Sequence, residues 1–192
     1  MIIIGVGAAP NMLTGEAIDA ITNARIIYGS RRAIRLAEYH IKPGTSVNII
    51  EDLRKLNELP ESATAIILST GDPLLSGLGY LPGRIIPGIS CMQLACARLK
   101  VSQLRVAPIT FHGRRANPEA VAFELKRGKC VFIITDETTD LNGLCNYLED
   151  QGISVEVIVL HELGYPNERI IRGTTIAPPK LSKLSCVMIG NI

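Results

Sequence analysis

Residues 65–68, Ala-Ile-Ile-Leu, sit inside a predicted strand over 63–69 in which polar and apolar positions do not alternate. A strand that is apolar on both sides needs cover on both sides, the condition of a parallel sheet with helices on either face. The flanking sequence meets that condition. Short β-branched runs predict further strands over 2–6, 25–28, 46–50 and 84–86. Thr14 is placed to cap a helix reaching about Asn23, with Glu16 in its first turn and Ala17, Ile18, Ile21 and Ala24 at helical spacing. Helices are also predicted over 31–39, 51–59 and, behind a Ser90 cap, 90–99, with residues 60–62 as punctuation.

Residues 101–116 read as irregular, holding Pro108 and Gly113 and the basic pair Arg114-Arg115, so a domain junction is placed there. Asn117-Pro118 then opens a helix that Gly128 ends. Strands over 130–135, 155–160, 168–172 and 185–189 follow, with a helix over 141–150 and a final linker at Pro178-Pro179. The expected fold class is α/β: two small α/β domains, residues 1–105 and 106–192, with a ligand cleft between them.

At 192 residues, 47% of them hydrophobic, the chain is long and apolar enough to bury a core, which excludes intrinsic disorder. The net charge of +2 is balanced between the two parts, and tryptophan is absent, so no nucleic-acid partner is expected. No apolar run approaches the ~20 residues of a membrane helix, and the apolar start has no basic flank, so a soluble cytoplasmic protein without a membrane partner is expected. The five cysteines, Cys91, Cys96, Cys130, Cys145 and Cys186, form no CxxC and read as reduced core residues. With His40, His112 and His161 scattered, no protein-bound metal is expected.

Three glycine-bearing turns follow predicted strands. Gly5-Val6-Gly7-Ala8-Ala9-Pro10 lacks the third glycine of a dinucleotide fingerprint, and no acid follows about 20 residues on, which argues against NAD. Such a turn serves a plain strand-to-helix connection equally well. Ser69-Thr70-Gly71-Asp72-Pro73-Leu74 leaves the most apolar strand and offers amides, hydroxyls and one carboxylate to a polar ligand, or uses Asp72 as a helix cap. Pro87-Gly88-Ile89-Ser90 reads locally as a turn with a Ser cap. By local chemistry alone, the basic loop at His112 reads as a solvated linker and His161 as a structural residue.

Together these segments resemble the tetrapyrrole methylases, which transfer a methyl group from S-adenosylmethionine. Gly5-Val6-Gly7 with Leu13-Thr14 is similar to that family's opening turn, Ser69-Thr70-Gly71-Asp72-Pro73 to its GDP loop, and Pro87-Gly88-Ile89-Ser90 to its PGxS turn. The likeness is ordered and spans nearly the whole chain. His112-Gly113-Arg114 and Leu163-Gly164-Tyr165-Pro166-Asn167-Glu168-Arg169-Ile170 resemble the branch that methylates C5 of cobalt-precorrin-7 in cobalamin synthesis. Two departures stand out: Ala8-Ala9 replaces a usual Pro-Gly in a loop one residue shorter, and Cys91 stands where a small residue is usual.

The resemblance implies S-adenosylmethionine as co-substrate, a tetrapyrrole as acceptor, and a homodimer. Carried over by position, donor contacts fall to Ser69, Thr70, Gly71, Asp72, Pro73, Leu74, Ser90, Cys91, Thr135 and Gly164, many of them through backbone. Acceptor contacts fall to Gly7, Pro10, His112 and Arg114, with Arg115, Arg31 and Arg84 as further partners for carboxylates. No residue is singled out as catalytic, because the sulfonium carries its own activation; Asp72 and His112 orient ligands. Cobalt would arrive inside the substrate. The length suits a stand-alone enzyme with a separate C15-methyltransferase/decarboxylase as partner. A sibling methyltransferase acting at another carbon, or a non-catalytic tetrapyrrole-binding subunit, would use the same loops.

Overall fold

The computed structural model describes residues 1–52, Leu56 and residues 65–192. The chain divides into two compact units, Met1–Cys91 and Met92–Ile192. In the first, β1 (Ile2–Gly5), β2 (Ile26–Gly29), β3 (Ser46–Ile49), β4 (Ala65–Ser69) and β5 (Arg84–Ile86) form a sheet in the order β3-β2-β4-β1-β5. Every pairing in it is parallel. As the unbroken apolar run requires, β4 is buried at all its positions.

Successive residues of these strands serve opposite cores. Ile4, Ile66, Leu68 and Ile86 pack with Ala17 and Ile21 of α1 (Gly15–Thr22) and with Ala33 and Ala37 of α2 (Arg31–Ala37). Ile3 and Ile67 face the other way, against Leu78 and Leu81. Each isoleucine withdrawn fully from water contributes about 1.5–3 kcal/mol. Thr14 caps α1, its Oγ1 accepting from the Ala17 N–H at 3.2 Å, and Ser30 caps α2 in the same way at Ala33. The helix expected over 31–39 stops at Ala37, and a 3-10 turn, Glu38–His40, follows. The loop after β4 holds a single-turn helix, α3 (Pro73–Ser76). The helix expected over 51–59 and the break at 60–62 lie outside the described residues, apart from Glu51, Asp52 and Leu56.

The second unit holds most of α4 (Cys91–Leu99) and a mixed sheet. Its strands are β6 (Val106–Thr110), β7 (Cys130–Ile134), β8 (Glu156–His161), β9 (Arg169–Thr174) and β10 (Ser185–Gly190), in the order β6-β7-β10-β8-β9. β6 and β7 are parallel, β10 is antiparallel to both neighbours, and β9 is antiparallel to β8. Val121 of α5 (Pro118–Lys126) and Leu144 and Leu148 of α6 (Leu141–Asp150) pack on Val131, Ile133, Val157, Val159 and Val187. Asn117 caps α5, accepting from the Ala120 N–H at 3.0 Å. Gly128, at φ +78°, closes it: its N–H reaches Leu125 O at 2.9 Å, and the Lys129 N–H reaches Glu124 O at 3.1 Å.

Two expectations are corrected here. The stretch 101–116 is not irregular throughout, because residues 106–110 form β6. Pro108 disguises it, yet β6 bonds only to β7, and an edge strand tolerates a missing N–H on its open side. The two sheets change over between Ile86 and Val106, but the compact division falls after Cys91 rather than after Arg105. The reason is α4, which belongs with the second unit and is tied there by Arg98 Nε to Glu168 Oε1 at 2.7 Å.

The five cysteines are free, and all but Cys91 are buried. Burial first, with Glu149 and Asp140 adding to it, pushes the Cys145 thiol up to about 11. Among the described residues no helix is long and apolar enough to cross a membrane, and no cluster of metal-ligating side chains occurs.

Candidate functional site

In the first unit three turns meet at the C-terminal ends of β1, β4 and β5. The Val6 N–H donates to Ser69 O at 2.9 Å, the Gly7 N–H to Gly71 O at 3.3 Å, and the Gly71 N–H to Gly7 O at 2.8 Å. Gly7 and Gly71 hold φ of +82° and +69°, a conformation that L side chains rarely adopt. Gly5 and Gly88 admit the third turn. A Cβ on Gly5 would stand 2.5 Å from Gly88 N and 2.6 Å from Gly71 O, and one on Gly88 would stand 2.7 Å from the Gly5 carbonyl carbon. These obstacles are backbone atoms, so none can swing aside.

Asp72 fastens the junction. Its Oδ1 accepts from the Leu74 N–H at 2.9 Å, capping α3, and its Oδ2 accepts from the buried Gly88 N–H at 3.0 Å. Both oxygens are committed to backbone, so the carboxylate positions the two loops rather than moving a proton. Ser69 is buried with its Oγ 2.6 Å from Ser76 Oγ, and Pro73 and Ser90 are buried as well. Thr70 and Cys91 are half-buried, and Leu74 stands 71% exposed. Ala8 and Ala9 are buried, Ala8 O accepts from Arg32 Nη2 at 2.8 Å, and the Gly7–Gly71 bridge forms across the altered loop. Pro10 is exposed. Open parallel sheets bind ligands at the carboxyl ends of their strands, and at this end the three turns meet backbone to backbone. Arg31 and Arg84 are not free cations here: Arg84 pairs with Glu16, and Arg31 lies 3.9 Å from Glu51.

In the second unit the expected residues gather at one end of the sheet. The Phe111 and His112 N–H groups both donate to Ile134 O, at 2.9 and 3.2 Å, bringing the basic turn beside Thr135. The Thr135 hydroxyl is buried and donates to Ser185 O at 2.7 Å. The Glu162 N–H donates to Leu184 O at 2.8 Å, which brings the turn bearing Gly164 to the same end of β10. Gly164, at φ +83°, donates its N–H to Glu168 Oε2 at 2.6 Å, while Glu168 Oε1 receives Arg98. Burial raises the Glu168 carboxyl, but the bonds from Arg98 and Gly164 outweigh it and hold the group below its ordinary range. His112, Arg114 and Arg115 are exposed, and among the described residues their side chains make no hydrogen bond or ion pair.

His161 ends β8 and is 3% exposed, with Nδ1 2.7 Å from Ser182 Oγ and Nε2 lacking a partner among the described residues. Burial, then Arg169, depress its pKa against an opposing Glu162, consistent with a neutral structural imidazole. Two residues have no role assigned from the sequence. Asp136 accepts from the Gly113 N–H at 2.8 Å, and Glu168 braces Gly164. Asp136 carries a local signal, an aspartate followed by Thr138 and Thr139 at turn spacing, but its partner lies 23 residues upstream.

Comparison with known proteins gives the family and the fold. The sequence model of the Tetrapyrrole (Corrin/Porphyrin) Methylases matches residues 1–177. A protein of Methanocaldococcus jannaschii named as a probable cobalt-precorrin-7 C(5)-methyltransferase is 33% identical over 184 residues, spanning 88% of this chain and 86% of that protein. The crystal structure of the cobalamin biosynthesis precorrin-6Y methylase of Archaeoglobus fulgidus superposes with a TM-score of 0.80 at 27% identity, covering 100% of this chain and 98% of that one. The uroporphyrin-III C-methyl transferase of Thermus thermophilus, complexed with S-adenosyl homocysteine, shares the fold with a TM-score of 0.77 at 14% identity, covering 98% and 96%. From the match over residues 1–177 and the 33% identity, the chain belongs to the tetrapyrrole (corrin/porphyrin) methylases.

Proposed function

We propose that this protein transfers a methyl group from S-adenosylmethionine to C5 of cobalt-precorrin-7, a corrin precursor in cobalamin biosynthesis. The observation that carries the reading is the junction of Gly5, Gly71 and Gly88, where side-chain-free backbone lines the carboxyl ends of β1, β4 and β5. The name borne by the M. jannaschii relative supports the choice of acceptor and carbon.

Ser69, Thr70, Gly71, Asp72, Pro73, Leu74, Ser90 and Cys91 of the first unit are the proposed donor contacts. Thr135 and Gly164 are further proposed donor contacts. Gly7, Pro10, His112 and Arg114 are the proposed acceptor contacts. S-adenosylmethionine supplies a methyl group whose sulfonium needs no acid to activate it. The protein's part is binding and orientation, which is worth up to about 7–11 kcal/mol for well-aligned reactants. Asp72 holds two loops in register through the Leu74 and Gly88 amides and transfers no proton. His112, Arg114 and Arg115 meet carboxylates of the acceptor through charge-assisted hydrogen bonds. A cytoplasmic homodimer, with a separate enzyme acting at C15, belongs to the same reading.

Calorimetric titration with S-adenosylhomocysteine tests the reading, with NAD as the control. The expected result is a single S-adenosylhomocysteine site per chain and no NAD binding. A folded sample that binds no S-adenosylhomocysteine overturns the methyltransferase assignment.

A further inference from the structure

We infer that Asp136 is a positioning residue that holds the turn from His112 to Arg115 as a rigid cationic receptor for an acceptor carboxylate. The inference rests on the proposed function and adds to it a residue outside the expected site. The turn is anchored at its start by Phe111, which is 2% exposed within the core of the second unit. It then leaves the sheet through Gly113 at φ +64°, with the Arg114 N–H donating to Phe111 O at 3.1 Å. The Asp136 carboxylate closes the far side. Its Oδ2 accepts from the Gly113 N–H at 2.8 Å. Its Oδ1 accepts from the Thr138 N–H at 2.9 Å, the Thr138 hydroxyl at 2.7 Å and the Thr139 hydroxyl at 3.2 Å.

The result is an asymmetric arrangement. The backbone of the turn is bound, while the three side chains it carries, His112, Arg114 and Arg115, are unpaired among the described residues. A loop held only by its ends would have to be ordered whenever a carboxylate bound, and that ordering weakens binding. The clasp removes that cost beforehand. It persists at any ordinary pH, because the Gly113 amide first and the Thr138 hydroxyl next hold the Asp136 carboxyl down at about 2.

Asp136→Asn separates the clasp from local folding. The amide Oδ1 still accepts from Thr138, but its NH2 group faces the Gly113 N–H as donor against donor. In the free protein, hydrogen exchange at the Gly113 amide, followed by NMR, is expected to be protected in the wild type and at least about tenfold faster in the variant. In methyl-transfer assays with cobalt-precorrin-7, the variant is expected to raise the acceptor KM about tenfold while kcat and S-adenosylhomocysteine affinity hold. Because the clasp acts through the turn, Asp136→Asn combined with Arg114→Ala is expected to raise KM no further than Arg114→Ala alone. An unprotected Gly113 amide in the wild type, an unchanged KM, fully additive effects, or an equal loss of donor affinity would each overturn the inference. Failure of the wild type to bind S-adenosylhomocysteine would instead strike the proposed function and leave the exchange result standing.

Discussion

Asp72 offers a perturbation whose size follows from two bonds. In Asp72→Ala, loss of the α3 cap costs about 1 kcal/mol, within the 0.5–2 kcal/mol usual for such residues. The buried Gly88 amide loses its acceptor as well, which costs about 1–3 kcal/mol. The sum, about 2–4 kcal/mol, leaves a domain of ordinary stability folded, so binding is measurable on the intact variant. Asp72→Asn keeps an oxygen for Leu74 and turns its NH2 group toward Gly88, so it is expected to lose only the second contribution. Asp72→Ser retains a capping oxygen and lacks reach to Gly88, so it is expected to match Asn. Urea unfolding followed by circular dichroism suits a chain without tryptophan. The expected order of stability is wild type, then Asn and Ser together, then Ala about 1 kcal/mol below them. All three variants are expected to bind S-adenosylhomocysteine at least about tenfold more weakly, because each frees the turn at Gly88. An Asn variant as stable as the wild type would refute the claim that Asp72 ties the two loops.

Two further predictions concern backbone space and charge. Gly5→Ala places a Cβ 2.5 Å from Gly88 N and 2.6 Å from Gly71 O, so a loss of about 1–3 kcal/mol or more and of donor binding is expected. Gly15→Ala, which meets nothing within 4 Å at the start of α1, is expected to leave donor binding unchanged in the same titration. Glu168→Gln removes a carboxylate whose pKa is lowered, so the stability it contributes is present above the ordinary range near about 4.3 and fades as pH falls through the folded value. Melting curves of wild type and variant are accordingly expected to differ most above about pH 5 and to converge in acid, and a gap that widens in acid would reverse the assignment.

Local chemistry made much of the fold legible. Thr14, Asn117-Pro118 and Gly128 mark helix ends through bonds made within a few residues, and the helix over 141–150 is found at those bounds. The apolar run of β4 announces cover on both faces without naming what covers it. What stayed hidden is long-range. Pro108 disguises β6, because only the sheet order shows that this strand lies at an edge. The glycines of the three turns are visible in the sequence, and the likeness to a family joins them. The tie from Asp72 to Gly88 spans 16 residues and that from Asp136 to Gly113 spans 23, so neither has a local pattern pointing to its partner. Glu168 lies inside a recognised motif, yet its pairing with Arg98 crosses 70 residues.

The order of strands in the second sheet bears on how the chain is made. β10 lies between β7 and β8 and pairs with both, so residues 185–190 fill the slot that joins the two halves of that sheet. The first sheet needs nothing beyond Ile86 and is complete in principle while the ribosome is still translating the second unit. β7 and β8 must wait, each with an open hydrogen-bonding edge, for roughly a few seconds at usual synthesis rates until β10 emerges. A nascent chain in which β8 has left the ribosome and β10 has not would therefore carry a finished first sheet together with two apolar strands that still lack their shared neighbour, and at that stage their open edges are exposed to chaperone capture or aggregation.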